Sequence, residues 1–484
     1  MKVNQNVSAV ISNAHLHRTE DKLTASIERL SSGYKINKAK DNPAGMAISN
    51  KMRAQIMALD QSSRNAADGT SVLQTADGAL NETHSMLQRM RELAVQAATD
   101  SMTPSDKEAC QKEIEALQKE VDRIATDTEF NGKRILDGSQ DYRVYPSVGG
   151  ELAGTYIRNF QTSDEVSAED YKFDITQIPE QATTNIAVGQ GTSGIIDING
   201  CQVEILATDT QDDIYTKLKD AGELAGVKVE DNGTDYTLTT FEYGKSAKIS
   251  CKVYNLPEKK AEGKDTQITM VRDTDIRLDS AGNQVKDDNG NPVAYGEGFS
   301  ETASYLSDGK KVTIRDLNGF EMIFEVDPEK DTGGVMKKQM LGGQVNVNLE
   351  MTDLGSMTLQ VGAHENQVVD VRIPAVNCES LYIDDLNVVR KGGADKAIAA
   401  LDDAIAQVSE VRSRIGAYQN RLEYAVSSLD GTEENMEAAI SRIMDTDMAE
   451  EMSTYSNMNV LDQAAISVLT QANDMPQQVL QLLQ

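Results

Sequence analysis

Tryptophan is absent from the 484 residues, and aromatic side chains make up only 5% of them. Large aromatic ligand pockets are therefore not expected, and the cores should be aliphatic and alanine-based, with 19 methionines available to fill gaps, as in helix bundles. Cysteine is scarce: Cys110, Cys201, Cys251 and Cys378 lack metal-ligand spacing and imply no disulfide framework. Cys110 lies four residues before Ile114 on a helical stripe and reads as a buried, inert thiol. Cys201 and Cys251 read as two reduced residues of a small β core, with pairing between them left open. The four histidines, His15, His17, His84 and His364, form no HExxH arrangement, and His15 and His17 lie on different faces of a helix. No GxGxxG, GxxxxGK(S/T) or GxSxG stretch occurs, so neither enzyme chemistry nor a metal or cofactor is expected.

Positive charge is also in short supply. Lys and Arg number 47 against 77 Asp and Glu, a formal net charge of -30, which repels nucleic acid and anionic membrane surfaces, so neither is an expected partner. No apolar run approaches the ~20 residues of a membrane span, and Met1 to Lys22 lacks a basic head followed by an apolar stretch, so no conventional secretory signal is expected.

What the sequence does contain is helical periodicity at both ends. A helix is predicted from about Val7 to Leu30, with Leu16, Leu23, Ile27 and Leu30 on one narrow stripe, stopping at Ser31-Ser32-Gly33. Asp41-Asn42-Pro43 opens a second helix, a capping side chain followed by proline in the first turn, which runs through Ile48, Met52, Ile56 and Leu59. The stripe Leu73, Ala76, Leu80, Thr83, Leu87, Met90 and Ala94 carries it toward Thr99. A third helix is predicted from Ser105, with Glu108 completing a capping box, to about Asp127, on a seam of Ile114, Leu117, Val121 and Ile124. Near the other end, Ile398, Leu401, Ile405, Val408, Arg412, Ile415, Gln419, Leu422, Val426 and Leu429 follow the 3-4 spacing of a coiled-coil seam, interrupted only by Arg412 and Gln419. Beyond it Leu461, Ala465, Val468 and Ala472 form a second weak stripe. The acidic runs Thr432 to Glu437 and Asp445 to Glu451 read as solvated faces and helix N-terminal charge.

Between Asp137 and about Leu354 clusters of Gly, Asn and Asp separate short β-rich runs. Ile195 to Leu206 carries an Asn199-Gly200 hairpin turn, followed by a helix around Ile214 to Leu224 and strands at Val227 to Glu230, Tyr236 to Thr240 and Lys248 to Val253. The Asp287-Asp288-Asn289-Gly290-Asn291 loop reads as a solvated turn, because its glycine stands at the wrong offset for an EF-hand. A hairpin with Leu359 and Val361 on one arm and Val369, Val371 and Ile373 on the other returns the chain to helix. The fold class is mainly α with an α+β insert: both termini form a long-helix coiled-coil or bundle rod, and the middle is a β-rich outer domain. A chain of this length holds roughly two to four domains.

Several stretches carry a resemblance. Arg29-Leu-Ser-Ser-Gly-Tyr-Lys-Ile-Asn-Lys-Ala-Lys-Asp41, Asn65-Ala-Ala-Asp-Gly69, Leu87-Gln-Arg-Met-Arg-Glu-Leu-Ala-Val-Gln96 and Glu129-Phe-Asn-Gly132 resemble the N-terminal half of bacterial flagellin. Asn420-Arg-Leu-Glu423, Ile443-Met-Asp-Thr-Asp-Met-Ala-Glu450 and Gln471-Ala-Asn-Asp-Met-Pro-Gln-Gln-Val-Leu480 resemble its C-terminal half. The segment at about 195–254 is similar to the small repeat of flagellin outer domains, and Met357-Thr-Leu-Gln-Val-Gly-Ala-His364 to the hairpin of the inner rod, with His364 where asparagine is usual.

The resemblance implies a terminal filament-core domain of residues 1–40 and 450–484, and an inner helical rod of 41–138 and 355–449 with its hairpin at 357–373. A variable outer insert, 139–354, completes the layout. It further implies a subunit exported unfolded by the flagellar apparatus, which polymerises outside the cell into the motility filament. Leu16, Leu23, Ile27, Leu30, Leu461, Ala465, Val468 and Ala472 would pack in the filament core. Implied partners are other copies of the chain, an export chaperone at the C-terminal helix, and the filament cap and hook-associated proteins. The host Toll-like receptor for flagellin is also implied, with Gln88, Arg89, Leu93, Gln96 and Glu113 at the matching receptor-contact positions. A hook-filament junction protein, or a flagellin whose insert acts as an adhesin or hydrolase, is the alternative.

Overall fold

A computed structural model describes the chain except for residues 1–5, 100, 149–150, 153–155, 164, 234, 254–257, 273–297, 331–342, 353–354 and 483–484. The Asp287 to Asn291 loop lies outside the described residues. The described residues contain six α-helices: α1 (Val7–Ser32), α2 (Pro43–Ala97), α3 (Pro104–Asp127), α4 (Gln211–Leu224), α5 (Gly393–Met444) and α6 (Met448–Leu482). They divide into two compact units, one of residues 1–70, 359–369 and 420–484, the other of 71–358 and 370–419.

In the second unit, Leu73, Ala76, Leu80, Thr83, Leu87, Met90 and Ala94 are all fully buried on α2, the stripe the sequence predicts. On α3 the buried line is Cys110, Ile114, Gln118, Val121 and Ala125, leaving Leu117 and Ile124 at its edge. Its N-cap is Thr103 with Asp106 rather than Ser105 with Glu108, because Pro104, which has no N–H to satisfy, fits the first helical position. On α5 the buried residues are Ala394, Ala397, Leu401, Ala404, Val408, Val411 and Ile415. Every second position thus falls one residue earlier than expected, on alanine or valine, which lets neighbouring backbones approach. Arg412 is moved to the flank, where its Nε donates to Asp77 at 2.9 Å while the head keeps contact with water.

Residues 374–392 have no helix or strand, yet Val376, Cys378, Leu381, Ile383 and Val388 are buried. Polar side chains of α3 supply the partners their backbone lacks. The Gln111 amide donates to Leu386 O at 2.9 Å and accepts from Val388 N at 2.9 Å, and Gln118 donates to Ile383 O. Asp122 accepts from Cys378 N at 2.8 Å. The Cys378 thiol donates to Gln118 O at 3.2 Å, and burial pushes its pKa up, so it is inert.

The insert closes on itself. Its entering strand Arg143–Val148 pairs antiparallel with its leaving strand Val345–Thr352, which brings the two ends together and makes insertion into a loop compatible with the surrounding helices. These strands belong to a five-stranded sheet that shares one core with a four-stranded sheet built on Lys311–Arg315 and Glu321–Val326. Five of the seven phenylalanines, Phe160, Phe173, Phe299, Phe320 and Phe324, lie in or against this core, so the expectation of aliphatic cores holds for the helices and fails here.

The second β core contains the predicted repeat. Asn199 and Gly200, at φ 51° and 81°, make the two-residue hairpin turn between Gly194–Ile198 and Cys201–Ile205. Helix α4 starts earlier than predicted, capped by Thr210 with Asp213. Strands Gln181–Ile186 and Lys259–Glu262, not read from the sequence, complete the sheets. Cys201 and Cys251 both stand opposite Ile198, on strands either side of it, so about 9.6 Å of sheet separates them and both are free thiols.

Contacts also tie this insert to residues 374–414 of the same unit. Gln161 donates to Ser380 O at 2.5 Å and the Tyr382 hydroxyl donates to Asn159 O at 3.1 Å. Arg158, 21% exposed, pairs with Glu325, Asp327 and Glu379. The buried amide of Gln118 supports a prediction. Gln118→Ala strands the Ile383 carbonyl, and urea unfolding should lose about 1–3 kcal/mol. Lys112→Ala, an exposed α3 change, should cost less than about 0.5 kcal/mol. Equal unfolding midpoints for the two variants would show that Gln118 does not hold the segment.

Candidate assembly surface

The first unit begins and ends in helices that pair with each other. Asn6 caps α1, its Oδ1 accepting from Ala9 N at 3.1 Å, while its Nδ2 donates to Ala472 O of α6 at 2.8 Å. Gly33, at φ 76°, takes the left-handed conformation that stops α1, as its sequence position predicts. Asp447 caps α6 by accepting from Ala449 N and Glu450 N at 2.9 and 3.2 Å. The connectors at both helix ends are stitched together: Lys35 N donates to Met444 O at 2.6 Å and Thr446 N to Gly33 O at 2.9 Å.

Other motif residues hold this unit in specific ways. Asp41 accepts from Asn37 N and Lys38 N at 3.2 and 2.9 Å, and these backbone donors, Lys38 first, hold its carboxyl below the usual range. Asn65 of α2 donates to Gln360 O at 3.2 Å, fixing the hairpin of Met357–Gln360 and Val368–Val371 to the helix. Gly69 follows because a Cβ there would lie 2.4 Å from Leu359 Cδ1.

Along the α1–α6 seam the residues withdrawn from solvent are Ala9, Ser12, Leu16, Thr19, Leu23 and Ser26 on one helix. Facing them are Glu451, Thr454, Met458, Asp462, Ala465, Leu469 and Ala472. Of these only Ser26 and Ala472 are fully buried. The firmest tie is polar: Ser26 Oγ and Arg29 Nη2 donate to the same Glu451 oxygen at 2.6 and 3.0 Å. Burial pushes the Glu451 carboxyl up, but the hydrogen bonds from Arg29 and Ser26 outweigh it and hold it below its ordinary value. Two buried polar atoms of the pair, Arg29 Nε and Asp462 Oδ1, have no hydrogen-bond partner.

A further set of apolar side chains faces outward. Val7, Val10, Ile11, Ile27, Val460, Leu461, Ile466 and Val468 are each 48–69% exposed. Of the predicted filament-core residues, Leu16, Leu23, Leu30 and Ala465 are half-buried, Ala472 is buried, and Ile27, Leu461 and Val468 are exposed. Leu461, Val468 and Met475 recur every seven residues along one flank of α6, the spacing of a coiled-coil seam with nothing opposite it. The helix pair thus has a mixed seam of small polar and half-buried apolar residues and carries its most exposed aliphatic side chains on the outside. Covering eight such side chains would contribute on the order of 10 kcal/mol, enough to offset much of the entropy lost when two molecules associate.

The other predicted group lies in the second unit. Arg89 donates to Glu113 at 2.8 and 3.0 Å and to Glu92 at 3.2 Å, and these carboxylates, Glu113 first, raise its pKa further. Gln88 bonds His84 at 2.9 Å, and Gln88, Arg89, Gln96 and Glu113 are exposed. Leu93, which the resemblance groups with Arg89 and Glu113, is not exposed with them. It is 2% exposed, because it falls between Met90 and Ala97 on the buried stripe of α2. The Ser26 and Asp462 seam positions were missed in the sequence, since a polar residue facing a helix neighbour carries no hydrophobic signal.

The profile of the bacterial flagellin N-terminal helical region matches residues 3–141, and that of the bacterial flagellin C-terminal helical region matches residues 398–483. The chain is 32% identical over 536 residues to the flagellin of Salmonella muenchen, covering 99% of both proteins. It is 31% identical over 478 residues to the flagellin of Clostridium tyrobutyricum, covering 99% of this chain and 100% of that one. Flagellin B of Vibrio anguillarum is 30% identical over 483 residues, covering 100% of this chain and 99% of that one. A solved structure of flagellar hook associated protein-3 from Legionella pneumophila covers 81% of this chain and 98% of its own at 13% identity, with a TM-score of 0.31, too low to carry an argument.

Proposed function

The chain belongs to the bacterial flagellin family, and we propose that it is exported unfolded by the flagellar apparatus and polymerises outside the cell through the exposed flanks of α1 and α6. It is a flagellar structural subunit and not an enzyme. The observation that carries the assembly reading is the aliphatic outer surface of the α1–α6 pair, including the heptad line Leu461, Val468 and Met475. That surface has no counterpart within the pair, so copies of the same chain supply it. The contact joins unlike faces of successive subunits, and such a contact propagates into a filament instead of closing a ring. Because each subunit carries a net charge of -30, added salt favours growth by screening repulsion.

Export in an unfolded state agrees with four free cysteines and with connectors that need no disulfide to form. Before assembly the flank of α6 is the natural resting place of an export chaperone, and after assembly the filament ends meet the hook-associated and cap proteins. The exposed Arg89, Glu113, Gln88 and Gln96 supply a polar surface for the host Toll-like receptor for flagellin, with Leu93 beneath it as packing and not as an anchor.

Two experiments follow. Leu461→Asp combined with Val468→Asp removes outward-facing residues only. It should leave the melting temperature of the monomer unchanged while abolishing filaments under the electron microscope, and filaments of normal yield would contradict the assembly reading. For the receptor, Arg89→Ala should weaken binding of the monomer to the receptor ectodomain by more than ~1 kcal/mol. Unchanged affinity would remove that site.

A further inference from the structure

Among the described residues four methionines are exposed, and three of them, Met448, Met452 and Met475, lie on α6. The fourth, Met57, is on α2. Met448 and Met452 are one helical turn apart, and Met475 continues the line of Leu461 and Val468. Thiols do not compete for oxidants. Cys110, Cys251 and Cys378 are buried and Cys201 is half-buried. Burial pushes the Cys251 thiol up to about 11 and raises those of Cys201 and Cys378 as well, so little reactive thiolate is present. Among the described residues the exposed sulfur is therefore thioether sulfur, and three of the four exposed methionines stand on α6, the helix whose outer side is assigned to assembly.

We infer that Met448, Met452 and Met475 are oxidation sites whose conversion to methionine sulfoxide blocks addition of the free subunit to a filament. The inference rests on the assembly reading. The co-reactant is a peroxide or hypochlorous acid. With hydrogen peroxide the thioether sulfur gives its electron pair to one peroxide oxygen, the O–O bond breaks, an S–O bond forms and water leaves. Sulfur is oxidised by two electrons and the peroxide is reduced. The product replaces a flexible apolar group with a polar one, which opposes burial at a helix contact. Subunits already in a filament have the same residues covered, so the modification acts before assembly, and enzymatic reduction of the sulfoxide restores the subunit.

The test starts from purified full-length protein, partly oxidised with hydrogen peroxide and then used to extend seeds of untreated filaments. Filament and soluble fractions are separated and their peptides quantified by mass spectrometry, with the Met57 sulfoxide confirming that oxidation took place. Sulfoxide at Met448, Met452 and Met475 should be depleted in the filament fraction by about tenfold or more. A triple Met448→Leu, Met452→Leu, Met475→Leu variant should extend seeds as well after peroxide as before it. Equal partition of the three sulfoxides between the fractions would overturn the inference, as would equal loss of growth by the oxidised triple variant. Failure of untreated subunits to extend or form filaments at all would instead overturn the assembly reading, and the inference with it.

Discussion

The pairing of α1 with α6 governs the rest, because it is a helix contact that cannot satisfy its own side chains. Two helices of 26 and 35 residues meet along a seam that mixes serine, threonine, alanine and aspartate with Leu16, Leu23, Met458 and Leu469, with Glu451 held by Ser26 and Arg29 as the firmest polar tie. Isolated helices of this kind are marginal in water, and burial of an apolar face normally supplies what propensity lacks. Here Leu16, Leu23 and Leu469 are only half-buried on the seam, while Val7, Val10, Ile11, Ile27, Val460, Leu461, Ile466 and Val468 are exposed. The subunit is stable at its centre and incomplete at its two ends, so self-association is the physical completion of the fold.

The second unit follows the opposite rule. Its α2 stripe is buried without exception from Leu73 to Ala94, and the irregular run 374–392 is held by three polar side chains of α3 at Gln111, Gln118 and Asp122. The polar side chains that reach this run each meet backbone partners, the condition under which buried polarity supports a single arrangement. The insert enters and leaves through paired strands, which brings its ends together and lets the chain carry two β cores between its helical segments. Its contacts through Arg158, Gln161 and Tyr382 then dock it on residues 374–414.

Much of this was legible in the sequence. Periodicity located the long helices, and Gly33, Pro43 and Asn199-Gly200 marked a stop, a start and a turn where they stand. The errors came from cases where two readings of one pattern compete. The α5 seam was placed on Ile405 and Arg412 by the 3-4 spacing alone, whereas Ala404 and Val411 are the residues buried, small side chains that allow close packing and leave Arg412 on the flank. Leu93 was carried into the receptor-contact group by the resemblance, four residues after Arg89, although it lies on the buried side of α2. Strands Gln181–Ile186 and Lys259–Glu262 and the segment 374–392 gave no usable pattern, since their place is set by distant partners. The outward stripe of Leu461 and Val468 was visible; the share of serine, threonine and aspartate in the seam was not, because a polar seam residue looks like solvent exposure until the other helix is in place.

Amide hydrogen exchange, read along the chain in monomer and in filament, tests the central claim most directly. If α1 and α6 are held by a thin, half-buried seam, their amides exchange rapidly in the monomer while those of α2 between Leu73 and Ala94 are strongly protected, and both helices become protected on assembly. Protection of α1 and α6 in the monomer equal to that of the α2 core would mean that the pair is complete on its own, and would contradict the account.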